Sequence, residues 1–455
     1  MRKVVIVGAG PAGLAAADEL AEHFDVTIID ERPLIGGEGL RSDGKIVLHP
    51  EVGCNLTKHV SVDEAWKIIG DVEKLFKKYG MIDDGTYNEE KLSDLEVEAA
   101  KHGIKFLKYR ACHIGTDELP KIVNKFKEDL ERRNVKFILN TGVVGIDVQD
   151  GGVVSVKTSN GENITGDYFI LAPGRNGSAW IKTITEEIAV SSGINIGIKF
   201  SPLDIGVRVE TSKDVFKKIA EDYGCIDPKI YIRTKTYDDL VRTFCVCHQG
   251  NVVLDPYKFI ENHDMGGENK KRTTMMLGVN GQSFKHEKTE NSNFSLLITV
   301  ALTKPLENTT EYGKSIVHTT NILGGKQPII LQRLGDLKRG RRSTDERIQK
   351  NNIKPTLKSY TAGDISISYP YRVIQDILDA LEALNNIIPG VNESSTLLYA
   401  PEVKFYAYEV ETDNSFRTKI PNLFIVGDGS GHSRGINGAA ATAIIAARAI
   451  KSSAG

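Results

Sequence analysis

The chain has 455 residues, of which 26% are charged, with a formal net charge of -2 and a pI of about 6.6. That balance excludes a global field that would select nucleic acid or anionic membrane and leaves only local basic patches for such partners. Five cysteines (Cys54, Cys112, Cys225, Cys245, Cys247) are too few and too scattered for a secreted disulfide scaffold. With no apolar run of roughly eighteen residues, a soluble cytoplasmic chain without a membrane span is expected.

The first thirty residues read as one βαβ unit. KVVIV is a buried-type strand, Gly8, Gly10 and Gly13 give G-x-G-x-x-G, an Ala/Leu/Glu-rich helix runs to about His23, and Val26–Ile29 is a second strand closed by Asp30. Each residue type has a reason. Gly8 permits the tight turn, Gly10 lets backbone approach a pyrophosphate, and Gly13 lets the helix lie close to the strand. The free N–H groups of the helix start, where Pro11 and Ala12 lie, face the phosphates. Asp30 can accept both ribose hydroxyls, which argues for NAD or FAD and against a 2′-phosphate. Glu31 and Arg32 follow directly, and Gly36-Gly37 is placed as a second phosphate loop.

Ser42-Asp43-Gly44-Lys45 follows, close enough in sequence to reach the cofactor; its alternative is a solvent hairpin turn. Arg41 and Ser42 are included among the cofactor residues, and Asp43 and Lys45 among the candidate catalytic ones. Residues 61–105 read as helical. HIGTD begins a capped helix, with Thr116 or Asp117 as cap, and a strand and hairpin that include Val143 return the chain to the nucleotide domain.

From about Ile194 to Tyr360 the chain reads mostly as strands. GVRVE alternates, with Val207 and Val209 on one face and Arg208 and Glu210 on the other. That face is either solvated and ion-paired, the favoured reading, or lines a substrate cavity. Lys338–Ser343 is a basic loop: a solvated surface or a lid over an anionic substrate. A helix is expected after Pro370, stopped by Pro389-Gly390.

FCVC (Phe244–Cys247) raises the question of chemistry. On a strand Cys245 and Cys247 share a face and stand too far apart for an unstrained disulfide. They are read as buried small hydrophobes, as thiols giving a proton to a substrate, or as a redox or metal pair. His113, His248 and His263 are candidate metal ligands without recognisable spacing, and no metal is expected. His432 is a rival acid to Asp43 and Lys45.

IPNLFIVGDGSGHSRGINGAAATAIIAARAI (Ile420–Ile450) resembles the second FAD motif of glutathione-reductase-like flavoproteins. The resemblance implies cofactor contacts from Gly427, Asp428, Gly435, Ile436 and Asn437, with the small-residue helix pointing its N-terminus at the flavin. Asp167–Gly174, with Ala172 and Gly174, resembles the strand before the crossing segment of those enzymes. There is no C-x-x-x-x-C after the first motif and no second G-x-G-x-x-G. A disulfide reductase of that type and a dedicated NAD(P)H domain are therefore not expected.

Several motifs together, in order, resemble a group of FAD-dependent dehydrogenases of bacteria and archaea. They are GGEGLRSDGK, HIGTD, GVRVE, FCVC before glycine and VV, LGVNGQSF, LQRLGDL and GDGSGHSRGINGAAA. Where that group shows proline and glycine after the second cysteine, this chain has His248-Gln249. The resemblance implies an α/β fold, an FAD-binding Rossmann-like domain doubly wound on a mostly parallel sheet, with an inserted β-rich α+β substrate domain. The expected division is 1–194 (with a helical insertion at about 55–110) and 356–455 for the FAD domain, and 195–355 for the insert, with ligand between the two. The expected activity is hydride transfer between flavin N5 and a small organic substrate, with NADH or NADPH as transient donor. Two alternatives are a flavoenzyme that reduces a base in structured RNA, and a non-catalytic FAD-fold binding protein. Oligomeric state is not legible.

Overall fold

A computed structural model describes residues 1–83, 87–264, 269–304, 308–405 and 408–454, without the side chains of Arg41, 260–264 and 269–272. The chain divides into two compact units. One comprises Met1–Asp83, Cys112–Ser201 and Tyr406–Gly455, the other Asp84–Ala111 and Pro202–Phe405.

The first unit is built on a five-stranded sheet in the order Leu423–Ile425, Tyr168–Leu171, Lys3–Val7, Asp25–Ile29, Lys136–Ile138. Every pairing is parallel, and Val5 lies between Thr27 and Phe169. Parallel strands are covered on both faces, which explains the unbroken apolar runs VVIV and YFIL. Alternate residues feed different cores. Val4 and Ile6 pack with the helices Pro11–Leu20 and Gly435–Ala454. Val5, Val7, Phe169 and Leu171 pack with the helix Ser178–Ser192 and a three-stranded sheet that starts at Val143. Alanines on both helices of the first face let their axes approach closely. The expected α/β Rossmann-like architecture is what forms.

The second unit carries an eight-stranded sheet in the order Thr361–Ala362, Ile330–Arg333, Leu397–Lys404, Leu203–Ser212, Asn291–Val300, Leu240–Cys247, Lys229–Arg233, Ile104–Leu107. Its strands are antiparallel except for the pair at the Thr361 edge. The insertion therefore differs from the expected 195–355. Leu397–Lys404 is hydrogen-bonded between Ile330–Arg333 and Leu203–Ser212, so residues up to Phe405 go with this unit. Ile104–Leu107 pairs with Lys229–Ile232, so 84–111 goes with it too. The expected helical stretch 61–105 is two helices, Val62–Lys78 and Glu89–Lys101, and the second feeds directly into that strand.

The amphipathic helix Tyr371–Leu384 covers one face of this sheet. Its Val373, Ile377 and Leu381 join Ile205, Val207, Val209 and Phe294 in one core. It stops at Leu384, short of Pro389-Gly390. The opposite side chains of the Leu203–Ser212 strand are Arg208 and Glu210, both 0% exposed. The solvated reading of GVRVE is thus wrong: the strand is central in a sheet covered on both faces, and a long hairpin, Asn251–Asp264 with Asn269–Gln282, accompanies the polar side. Glu210 does not pair with Arg208. It accepts from Thr356, Tyr399 and Asn291, while burial pushes its carboxyl above the usual range against those bonds.

The basic loop 338–343 has an internal anchor. Asp336, fully buried, accepts from Arg341 Nε at 2.8 Å and Ser343 Oγ at 2.8 Å, with Arg333 at 3.7 Å. Burial alone would raise this carboxyl, but the Ser343 and Arg341 bonds and the nearby Arg333 charge hold it below its ordinary value. A depressed carboxyl stabilises the fold above its unfolded pKa, and that contribution is lost as pH falls through the lower folded value. Asp336→Asn removes the charge that compensates the arginines, so urea titration at neutral pH should show a loss of about 3 kcal/mol. The deficit should shrink toward the acid end of the range.

Candidate functional site

The first unit gathers many of the expected cofactor residues around the turn after Lys3–Val7. Gly8 has φ +110°, and a side chain there would meet Ala172 O at 2.2 Å. A side chain at Gly13 would meet Gly8 O at 1.9 Å, whereas one at Gly10 would meet nothing within 4 Å. Two of the three glycines are thus required by backbone contact, and the third borders open space at the start of the helix Pro11–Leu20. No side chain caps that helix start, which leaves its first-turn amides available to an anion. Gly36 donates to Ala9 O at 2.7 Å, and Gly37 lies against Gly10, with its would-be side chain 3.3 Å from Gly10 Cα. Both have positive φ. A narrow crevice of about 20 Å³ behind this loop is lined by Pro11, Leu14, Gly36, Gly39 and Ile436.

The acidic residues are held in place. Asp30 accepts from the amides of Ala9 at 2.7 Å and Arg32 at 2.8 Å, one on each oxygen. It is therefore a brace for the glycine loop, and each oxygen keeps a lone pair for a further donor. Glu31 beside it is exposed, and Arg32 pairs with Glu38 at 2.6 Å. Asp428 accepts from Ser433 Oγ at 2.8 Å and the Gly435 amide at 3.1 Å, closing the loop before the last helix. A side chain at Gly427 (φ +73°) would meet Ala12 Cβ at 3.0 Å, and Asn437 donates to Val52 O at 2.8 Å. Ala172, Gly174 and Val143 lie in the same unit: Ala172 touches Gly8, Gly174 touches Gly429, and Val143 is buried at its strand start. The side chain of Arg41 lies outside the described residues. The close glycine contacts, the uncapped amides and the braced acids fit a dinucleotide such as FAD.

SDGK is not a solvent turn. A side chain at Gly44 (φ +70°) would meet the Gly115 amide at 2.8 Å, the Ile114 amide donates to Gly44 O, and Thr116 Oγ1 donates to Ser42 O at 2.7 Å. SDGK and HIGTD are one packed feature, so Thr116 is occupied and the helix begins later, at Leu119, without a side-chain cap. Lys45 Nζ bonds Asp43 Oδ2 at 2.8 Å, with the lysine side chain 4% exposed. His432 is a weaker acid candidate. Its Nε2 lies 2.8 Å from Val410 O, its ring packs on His59 and Phe416, and burial lowers its pKa.

The second unit gathers the remaining motifs around Arg208. Its Nε donates to Asn293 Oδ1 at 2.8 Å, Nη1 to Ser295 Oγ at 2.8 Å and Nη2 to Cys245 O at 2.7 Å. Ser295 donates onward to Glu402, which lies 3.6 Å from the guanidinium and 3.0 Å from Lys404 Nζ. Gly281 of LGVNGQSF makes the space, since a side chain there would fall 1.6 Å from Arg208 Nη2. Sequence reasoning missed Asn293, Glu402 and Lys404. The available signal was Glu402 itself, an acid in the otherwise apolar strand run LLYAPEV.

The cysteines also correct an expectation. Strand register shifts between Phe244 and Cys247, and Cys245 has φ +48°. The bulge brings the two sulfurs to 3.8 Å, so the extended-strand argument against their approach fails. Neither is in a disulfide. His248 bonds Ser292 and Glu221, each at 2.9 Å, and belongs to no metal cluster among the described residues. Gln249 holds φ +51° where the resembling group has glycine. The side chain of His263 lies outside the described residues.

Two family descriptions match segments of the two units. A family described as NAD(P)-binding Rossmann-like domain matches residues 6–49, and one described as FAD-dependent protein, C-terminal domain-like, matches 202–405. An uncharacterized protein of Clostridium beijerinckii is 24% identical over 97% of this chain and 79% of its own length. Among solved structures, L-proline dehydrogenase from P. horikoshii is 13% identical with TM-score 0.44, covering 99% of this chain and 94% of that one. Glycine oxidase from Bacillus cereus is 14% identical with TM-score 0.40, covering 100% and 96%. Fold, glycine turn and the two family matches together define an FAD-dependent oxidoreductase. No helix among the described residues is long and apolar enough to cross a membrane.

Gly13→Val drives a side chain into Gly8 O. The purified variant should carry less than about a tenth of the wild-type flavin absorbance per protein, because the glycine turn is displaced. Gly10→Ala, with open space at its Cβ, should fold normally and lose flavin by a smaller factor.

Proposed function

We propose that this chain is a flavoprotein dehydrogenase or reductase acting on a small organic substrate, with NADH or NADPH bound transiently as electron donor. The observation that carries the reading is the Gly8–Gly13–Ala172 crossing beside open space at an uncapped helix start. FAD, when bound, supplies hydride transfer at its N5. The remaining work falls to the chain. The amides after Gly10 would take the pyrophosphate, Asp30 and Glu31 the ribose, and Gly36-Gly37 would let backbone approach the second phosphate side. Asp428 keeps residues 433–437 in one conformation by holding both Ser433 and the Gly435 amide. The GDG segment that Asp428 belongs to supports a place beside the glutathione-reductase-like flavoproteins.

Lys45 is the group assigned to give and retake the substrate proton. It is buried, bonded to Asp43 at 2.8 Å, and seated on a turn locked by Gly44 and Thr116. The five-stranded sheet is the one parallel Rossmann sheet among the described residues, which supports a transient rather than a resident nicotinamide.

An anaerobic absorption spectrum tests this directly. Oxidised flavin bands that NADH or NADPH bleaches support the pyridine-nucleotide donor. Bands that neither nucleotide bleaches remove that donor and leave the substrate or a partner protein as electron source. A purified protein that neither carries nor takes up FAD ends the reading. Once a substrate is found, Lys45→Gln should lower kcat by about a hundredfold or more with flavin content intact.

A further inference from the structure

We propose that Cys245 and Cys247 form a thiol–disulfide exchange site for low-molecular-weight disulfides, held open by the bulge after Phe244 and served by the buried guanidinium of Arg208. The inference stands on geometry in the second unit and does not depend on the identity of the flavin substrate.

Four observations carry it. The sulfurs lie 3.8 Å apart, within reach of each other and far closer than side chains on an extended strand would bring them. Cys245 takes a left-handed φ of +48°, a conformation non-glycine residues seldom adopt. It is imposed by a bulge whose effect is to turn two strand neighbours toward each other. Arg208 Nη2 lies 3.4 Å from Cys247 Sγ and 3.8 Å from Cys245 Sγ, placing a permanent cation on both sulfurs. Its own charge is secure: burial works against it, but Cys245, Glu402 and Cys247 hold its pKa above the ordinary value. Finally, the two thiols differ in access. Cys245 is half-buried and Cys247 is 0% exposed, the division of labour between an attacking and a resolving thiol. The other cysteines contrast with this. Cys54, Cys112 and Cys225 are all buried, and burial with the Asp428 charge pushes the Cys54 thiol up to about 12.

The reaction balances without a further reagent. The Cys245 thiolate attacks one sulfur of the small disulfide. That S–S bond breaks, one thiolate leaves and a mixed disulfide forms. The Cys247 thiolate then attacks Cys245 Sγ, the mixed bond breaks and the second thiolate leaves. Two protein thiols are oxidised to one disulfide, one small disulfide is reduced to two thiols, and the two protons pass from the cysteines to the leaving groups. Partial burial of Cys245 favours a small partner over a protein one.

The test uses the full-length protein, native, with glutathione disulfide as probe, followed by acid quench, alkylation, digestion and mass spectrometry. The expected result is a Cys245–Cys247 peptide two hydrogens lighter and unalkylated, with Cys54, Cys112 and Cys225 alkylated. Cys247→Ser should accumulate one glutathione on Cys245, and Cys245→Ser should react at least about tenfold more slowly. Arg208→Lys should move the pH–rate profile of Cys245 to higher pH, a change that a packing role for the arginine would not produce. The proposal is overturned if wild-type protein, shown folded by circular dichroism, keeps both cysteines alkylatable. It is equally overturned if Cys245→Ser is modified at Cys247 as fast as wild type, or if the purified protein holds a metal on this pair.

Discussion

Burying one guanidinium sets the terms for the β-rich unit. Arg208 sits on the central strand of an eight-stranded sheet with no exposed surface, and an unpaired charge in that position costs several kcal/mol. Its neighbours are arranged around that cost. Asn293 and Ser295 come from the next strand on one side, Glu402 from the strand on the other, and Cys245 offers a carbonyl from the bulge. Gly281 is a glycine because the guanidinium occupies its side-chain position. Residues that look unrelated along the chain are a single solution to one electrostatic problem. The bulge that supplies this carbonyl also brings two thiols to 3.8 Å.

The nucleotide unit obeys a steric constraint in place of an electrostatic one. Gly8 and Gly13 are fixed by backbone approach, and Gly10 by the opening it preserves. The acids that a sequence reader assigns to the cofactor also serve the protein itself. Asp30 braces Ala9 and Arg32, and Asp428 braces Ser433 and Gly435. Support of this kind keeps the loops in a binding conformation through local hydrogen bonds, which lowers the ordering cost on binding.

Much of this was legible in order along the chain. The βαβ unit, the GDG loop and the helix of small residues each carry their information locally, through glycine at fixed spacing and apolar strands of defined length. What was not legible is long-range. GVRVE alternates like a solvated strand because alternation reports two unlike faces and says nothing about what covers the polar one. Lys338–Ser343 reads as a free basic loop because Asp336, its anchor, lies just outside the run and is buried. FCVC reads as an extended strand because a bulge has no composition signature of its own. The boundary at 355 failed because Leu397–Lys404 pairs with strands distant in sequence. SDGK and HIGTD were both noticed, yet their mutual packing through Gly44 and Gly115 joins residues about seventy apart.

The threading of the chain has a consequence for biosynthesis. The glycine turn is translated well before its cover: its sheet lacks the Leu423–Ile425 strand and its helix lacks the covering Gly435–Ala454 until some 400 residues later. At bacterial to eukaryotic elongation rates that is roughly 20–80 s during which alanine and valine faces stand uncovered on the ribosome. The β-rich unit needs nothing beyond Phe405 and can close earlier. A pocket that uses both the glycine turn and residues 427–437 is complete only after the last of these is translated, so the first strands and helix wait longest for their cover.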